Sequence, residues 1–364
     1  MINQLVEMSR KYGSNPEYVL AGGGNTSCKD ENYLYVKGSG TSLATIEAEG
    51  FVQLDRKALG DMWKKTYSEN EAEREAQVLE DMMSARCPGN EHKRPSVETL
   101  LHNLFDKKFV LHVHPAIVNG LTCAKNGEAE AKRLFPEAVW VQPTKPGYIL
   151  SNECRKVIEA YKEVNGKEPE IIFLQNHGIF FAADTLERID ELAEGVMSTL
   201  NNEAKRFPDF ETIETKTPEE VKAVLEELFG GVVIFENNNE ISKFSSDKEN
   251  ALPLLNSFTP DHIVYCKAYP LFVENAEDIR AEYENYEKKN GFKAKVVILK
   301  GTGMFFIGAN EKDANTCRVV FTDAMKIAVY SESFGGYEHM TPDLIDFIVN
   351  WEVEAYRSKV NSGE

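Results

Sequence analysis

Seven histidines are spread over 364 residues, and two of them stand one residue apart, His112 and His114 in Phe109-Val-Leu-His-Val-His-Pro115. The residues around them are apolar or β-branched, so the run reads as a buried strand that ends at Pro115. Residues i and i+2 of a strand face the same side, so two imidazoles leave one rigid element together. His177, in Gln175-Asn-His-Gly178 at the end of a second apolar run, offers a third. Three neutral imidazoles with a fourth position left for water or substrate make a catalytic Zn²⁺ site, and Fe²⁺, Co²⁺ or Mn²⁺ suit the same open geometry. The competing reading is three hydrogen-bonded core histidines. The i,i+2 pair plus a third at another strand end favours the metal.

Glu98 lies one helix upstream of the His-x-His run. A carboxylate beside a metal-stabilised oxyanion can move a proton as general base and acid. His102, four residues on, shares its helical face and is read as a packing or supporting residue rather than a ligand. Two glycine-rich segments, Gly24-Asn-Thr-Ser27 and Lys37-Gly-Ser-Gly-Thr41, flank one short strand. Glycine lets backbone N–H groups approach an anion closely, and Asn, Ser and Thr add donors; Lys37 is a candidate cation. Neither segment is a Walker or dinucleotide fingerprint.

These residues need elements to hold them. The pattern predicts a helix near 2–12, a strand at 33–36, a charged helical stretch at about 55–84, and a helix over 97–105 with Ser96 as its N-cap and Glu98 in its first turn. The His-x-His strand follows, then a helix near 127–134, strands near 138–141 and 170–175 about a helix at 150–164, the segment Ile179–Ala183, and an amphipathic helix over 185–206. This is an α/β sandwich occupying 1–206. Residues 207–218 read as a linker, with two prolines and no periodicity, and 219–364 as a second, smaller α/β domain. Ile171–Ala182 and Val296–Ile307 look like copies of one strand–turn–strand unit, and Phe135–Trp140 resembles Thr259–Val264, which suggests a degenerate repeat. Thr302 stands where the first copy has His177, so the second domain is expected to lack metal ligands.

Composition narrows the classes. A 42% hydrophobic, 27% charged chain is globular. A net charge of −18 argues against nucleic acid, which calls for a basic footprint. No apolar run reaches the ~20 residues of a membrane span, and no signal segment opens the chain. The six scattered cysteines contain no CxxC pair and read as reduced thiols, so a cytoplasmic location is expected.

Taken in order, Gly24-Asn-Thr-Ser27, Lys37-Gly-Ser-Gly40, Pro95-Ser-Val-Glu98, His112-Val-His114 and Gln175-Asn-His-Gly178 resemble the class II aldolase/adducin-head family, which includes the fuculose- and rhamnulose-phosphate aldolases. Val36–Ile46, Pro95–His102, Pro260-Asp-His-Ile-Val264 and Leu299–Met304 extend the likeness to the aldolase portion of bifunctional rhamnulose-1-phosphate aldolase/lactaldehyde dehydrogenases. No Rossmann fingerprint is present for the dehydrogenase half.

The resemblance implies a three-layer αβα fold, zinc on His112, His114 and His177, and Glu98 as the acid/base. It implies a phosphate pocket at Asn25, Ser39, Gly40 and Ser96. The family commonly has a second serine before the glutamate; here Val97 stands there, and Arg94 and Lys145 are possible compensating cations. The implied reaction is reversible cleavage of a ketose 1-phosphate to dihydroxyacetone phosphate and an aldehyde, in a homo-oligomer with a tetramer favoured, and a tyrosine near the C-terminus can be a proton donor. Alternatives on the same fold are a sugar-phosphate dehydratase or epimerase. A different class is a non-enzymatic adducin-like scaffold, and another is a dock for a separate dehydrogenase.

Overall fold

The computed structural model describes residues 1–351. It divides into two compact units, Met1–Thr122 with Gly127–Glu203, and Cys123–Asn126 with the residues from Ala204 onward. The first unit runs α1 (Ile2–Gly13), β1 (Asn25–Lys29), β2 (Tyr33–Lys37), β3 (Phe51–Asp55), α2 (Arg56–Asp61), α3 (Glu71–Ser84), α4 (Thr99–Leu104) and β4 (Phe109–Val113). It continues through α5 (Ala116–Thr122), α6 (Gly127–Leu134), β5 (Val139–Val141), α7 (Tyr148–Asn165), β6 (Ile171–Leu174), β7 (Gly178–Ala183) and α8 (Leu186–Glu203).

Its seven strands form one sheet in the order β3-β2-β1-β4-β7-β6-β5. All neighbours are antiparallel except β5 and β6. Helices α4 and α7 cover one face, and α1, α5 and α8 cover the other. The three-layer α/β class is therefore as expected. The α4–α7 face is sealed by Leu101, Phe105, Val110, Leu150, Ile158, Ile172 and Phe180. Helix α8 buries Ile189, Leu192, Ala193, Val196 and Leu200, one stripe at helical spacing.

Three local expectations are corrected. The stretch at 55–84 is not one helix: β3 ends at Asp55, α2 ends at Asp61, and α3 starts only at Glu71 after Asn70 caps it by accepting from the Glu73 N–H. Glu98 is not in a first turn; it is the N-cap residue of α4, and its side chain caps nothing. Asn25-Thr-Ser27 is not a turn but the start of a buried central strand. A polar strand survives there because its side chains find partners: Ser9 for Thr26, His102 for Ser27, Glu98 for Asn25.

The second unit contains α9 (Glu219–Phe229), β8 (Val232–Glu236), α10 (Asn239–Ser245), α11 (Lys248–Ala251), α12 (Pro260–Cys266) and β9 (Leu271–Val273). After these come α13 (Ile279–Asn290), β10 (Val296–Leu299), β11 (Gly303–Gly308), α14 (Glu311–Ser331) and α15 (Pro342–Val349). Its sheet has the order β8-β11-β10-β9.

Strand for strand, this order repeats the β4-β7-β6-β5 half of the first sheet. β8 pairs antiparallel with β11, β11 with β10, and β10 parallel with β9, as β4, β7, β6 and β5 do. Individual bonds repeat too. The Asn176 N–H donates to the Thr122 carbonyl, and the Gly301 N–H donates to the Ser245 carbonyl; Ala182 N–H reaches Glu170 O as Ile307 N–H reaches Lys295 O. Both Asn176 and Gly301 take positive φ, 55° and 64°.

The hairpin half of the expected repeat thus holds. The other half is corrected: residues 259–264 lie on helix α12, and the counterpart of β5 is β9. The short apolar match was misleading because Pro260 opens a helix after Thr259. Register aligns His112 with Phe235, His114 with Asn237 and His177 with Thr302.

Candidate metal centre

His112 enters the site from the middle of the sheet. On β4 it pairs with Asn25 of β1 on one side and Phe180 of β7 on the other. Its ring stacks on Phe180 at 4.0 Å between centroids, and its Nδ1 donates to the Ile179 carbonyl at 2.9 Å. That bond fixes the tautomer and leaves the Nε2 lone pair for the site. His114 follows just after β4, and its Nε2 lies 2.9 Å from that of His112.

His177 is carried by the tight turn between β6 and β7. Asn119 Nδ2 donates to its carbonyl, and Asn176 holds the left-handed φ that the turn requires. Gly178 begins β7 where a Cβ would come within 2.7 Å of the Val113 carbonyl and 2.5 Å of the His114 ring. Only glycine allows this close approach of the two histidine-bearing segments.

One ligand-type atom from each of the three histidines lies within 4.8 Å of the others. Glu98 Oε1 lies 3.3 Å from His112 Nε2 and 3.4 Å from His177 Nε2, is buried, and has no hydrogen-bond partner. An unpaired buried carboxylate oxygen is costly. A divalent cation held among the three imidazoles would satisfy it, so the donor set fits a metal. His112 is fully buried while His114 and His177 are half-buried, which leaves the open side with the latter two.

Glu98 is placed by α4, six residues long and too short to persist alone. Leu100 and Leu101 are buried beneath it, each contributing about 1.5–3 kcal/mol. Lys29 Nζ donates to the carbonyls of His102 (2.6 Å) and Phe105 (2.9 Å), closing its C-terminal end. Full burial pulls the Lys29 ammonium down to about 7.

Asn25 Nδ2 donates to Glu98 Oε2, and Asn25 Oδ1 accepts from His102 Nε2; His102 Nδ1 meets Ser27 Oγ at 2.7 Å. Burial, with Lys29 and His112 adding positive neighbours, holds His102 well below its usual imidazolium range, so the ring is neutral. From the sequence His102 is a packing or supporting residue and Ser27 one of the donors of a glycine-rich segment; their contact with each other and with Asn25 was not foreseen. Their signals were the i,i+2 relation of Ser27 to Asn25 and the i,i+4 relation of His102 to Glu98.

The remaining candidates split into two groups. The Lys37–Gly40 and Arg94–Ser96 segments lie side by side: Ser39 N–H donates to Arg94 O, Ser96 N–H donates to Lys37 O, and Gly38 bridges Pro95. Ser39, Gly40, Ser96 and Val97 are therefore neighbours. Lys37 is buried and gives its ammonium to the carbonyls of Gly22 and Gly24, 3.0 Å each, so it holds the glycine-rich turn closed. Lys145 is ion-paired to Glu71.

Residues 3–201 match the model of the class II aldolase and adducin N-terminal domain family. The chain belongs to that family. Residues 214–357 match a further model, the second domain of class II aldolases. An uncharacterised oxidoreductase of Bacillus subtilis, YuxG, is 23% identical over 411 residues, covering 98% of this chain; the chain spans 58% of that relative's length.

Among solved structures, the N-terminal class II aldolase domain of a conserved Thermoplasma acidophilum protein is similar with a TM-score of 0.47 and 26% identity over 55% of this chain and 92% of that one. The L-fuculose-1-phosphate aldolase of Thermus thermophilus is similar with a TM-score of 0.36 and 16% identity, over 56% and 92%. Among the described residues no helix is long and apolar enough to cross a membrane.

Proposed function

We propose that this class II aldolase-family chain is a divalent-metal aldolase, with zinc favoured, that reversibly cleaves a ketose 1-phosphate of the rhamnulose or fuculose type. The products are dihydroxyacetone phosphate and an aldehyde such as lactaldehyde. The observation that carries the reading is Glu98 Oε1, buried and without a hydrogen-bond partner beside the Nε2 atoms of His112 and His177. His112, His114 and His177 would hold the cation. Bound there, it would supply Lewis-acid stabilisation for the oxygen charge that develops as the C–C bond breaks.

The chain's own groups do the rest. Asn25, Ser39, Gly40 and Ser96 bind the phosphate and hold the scissile bond over the site. Asn25 carries a second amide N–H besides the one on Glu98, and we assign that one to the phosphate. Glu98 delivers the proton to the enediolate carbon in cleavage and removes it in condensation. The hydroxyl of the other fragment releases its proton to solvent and its carbon becomes the aldehyde. The electrons of the broken C–C bond pass to the enediolate, and the proton that Glu98 delivers is replaced from solvent. The reading needs no imine: Lys37, the lysine of the glycine-rich segment, and the buried Lys29 are each committed to two carbonyls.

The match to a second aldolase domain and the partly covered oxidoreductase relative support the likeness to the aldolase portion of bifunctional aldolase/dehydrogenases. A homo-oligomer, a tetramer by family resemblance, goes with the same reading. The C-terminal tyrosine expected as a proton donor is not assigned, and residues 352–364 lie outside the described part.

The deciding experiment is a screen of phosphorylated and unphosphorylated ketoses with zinc-loaded protein, following dihydroxyacetone phosphate release. Cleavage confined to ketose 1-phosphates, abolished by chelator and untouched by borohydride, is expected. Full activity after metal removal would overturn the proposal.

A further inference from the structure

Behind Glu98 stands a line of buried polar side chains, two of which, His102 and Ser27, binding and proton transfer do not account for. It runs Glu98 Oε2, Asn25 Nδ2 and Oδ1, His102 Nε2 and Nδ1, Ser27 Oγ. Asn25 and Ser27 are alternate residues of β1 and face α4, which brings both ends of the His102 ring within reach. His102, Ser27 and Asn25 are 0%, 0% and 7% exposed, so no water competes for these bonds.

A primary amide presents a donor at one end and an acceptor at the other, and nothing in its shape says which faces which neighbour. An ionised Glu98 accepts only. If the Asn25 amide turned round, its Oδ1 would face Glu98 Oε2, two acceptors in a low-dielectric site. His102 prevents this when its proton is on Nε2: it then donates to Asn25 Oδ1 and commits the Nδ2 group to Glu98. The opposite tautomer accepts at Nε2 and favours the wrong amide orientation. Ser27 completes the line by donating its hydroxyl to Nδ1.

We infer that His102 is a positioning residue for Glu98. As the Nε2–H tautomer it sets the Asn25 amide, which pins Glu98 Oε2 and leaves Oε1 directed at His112 and His177. The inference rests on the proposed role of Glu98 but concerns a residue that touches neither substrate nor metal.

The test has two arms, both on the full chain. Histidine-selective ¹⁵N labelling and two-bond ¹H–¹⁵N correlation spectra of zinc-free and zinc-loaded protein report each ring's tautomer, and His102→Gln identifies the resonance that disappears. Protonated Nε2 with bare Nδ1 is expected; a ring protonated on Nδ1 overturns the inference. In the kinetic arm, His102→Leu, which cannot donate, lowers kcat about 10–100-fold with zinc content unchanged, and any rise in KM, transmitted through Asn25, is smaller than the fall in kcat. His102→Gln, which can donate to Asn25 Oδ1, recovers most of that loss. A rise in KM with kcat intact, or a Gln variant no better than Leu, overturns it. If His102→Leu does not fold, the wild-type tautomer still decides. If the wild type cleaves no ketose phosphate, the reaction assignment falls, while the spectra judge the His102 line separately.

Discussion

His112 is locked on three sides, by Phe180, by Ile179 and by its place in the sheet, whereas His114 stands half-buried just past the strand end. Removing His114 would therefore take away a proposed ligand with little disturbance to the core. His114→Ala is expected to lose stoichiometric metal and aldolase activity together while keeping the wild-type circular dichroism spectrum; a variant with full metal content would refute the ligand role. The gap in the phosphate pocket is also a single-residue matter. Val97 follows Ser96, whose N–H donates to the Lys37 carbonyl. A hydroxyl there can donate to phosphate, and a hydrogen bond to a charged group is worth about 1.5–3 kcal/mol. Val97→Ser should lower KM for a phosphorylated ketose on the order of tenfold and leave unphosphorylated analogues unchanged, as parallel steady-state assays would show.

At the scale of elements, α4 matters most, because it carries Glu98 and His102 and is too short to fold unaided. Its C-terminal carbonyls are satisfied by Lys29, whose folded-state value near 7 lies far below its ordinary one near 10.5. Between those values the unfolded chain binds a proton that the folded chain does not, so the stability gained on deprotonation grows as pH rises above about 7 and is absent below it. Urea midpoints should climb from pH 7 to about 8, before the ionisation of unfolded-chain thiols near about 8.5 opposes the rise. Lys29→Met should flatten that rise and lower the midpoint at about pH 8, because two carbonyls lose their donor. An unchanged slope in the variant would show that Lys29 is not the titrating group.

For the whole molecule, the second sheet copies half of the first without its three histidines. Phe235, Asn237 and Thr302 occupy the counterparts of the three histidines, and an aromatic ring fills what would be the central ligand position. The expected stoichiometry is one divalent ion per chain by elemental analysis. Thr302→His should not raise it, since a single imidazole beside Phe235 cannot replace three; a second bound equivalent would reveal another site.

The clustering of the three histidines was legible in the sequence because its signals are local. An i,i+2 histidine pair on a strand and a glycine after His177 point to the proposed ligands, and five ordered motifs to the proposed acid/base and to the family, without knowledge of packing. Strand β1 was read as a turn because its residues are polar, and polarity is a poor guide where every side chain finds a buried partner. The duties of Lys37, Lys29, Ser27 and His102 were equally hidden, since each is set by contacts between segments far apart in the chain. The counterpart of β5 was misplaced for the same reason: six similar letters open a helix at Thr259, and only strand pairing showed that β9 is the match. Residue types and spacing determined what chemistry this protein can hold; long-range hydrogen bonds decided which donors and acceptors remain to perform it.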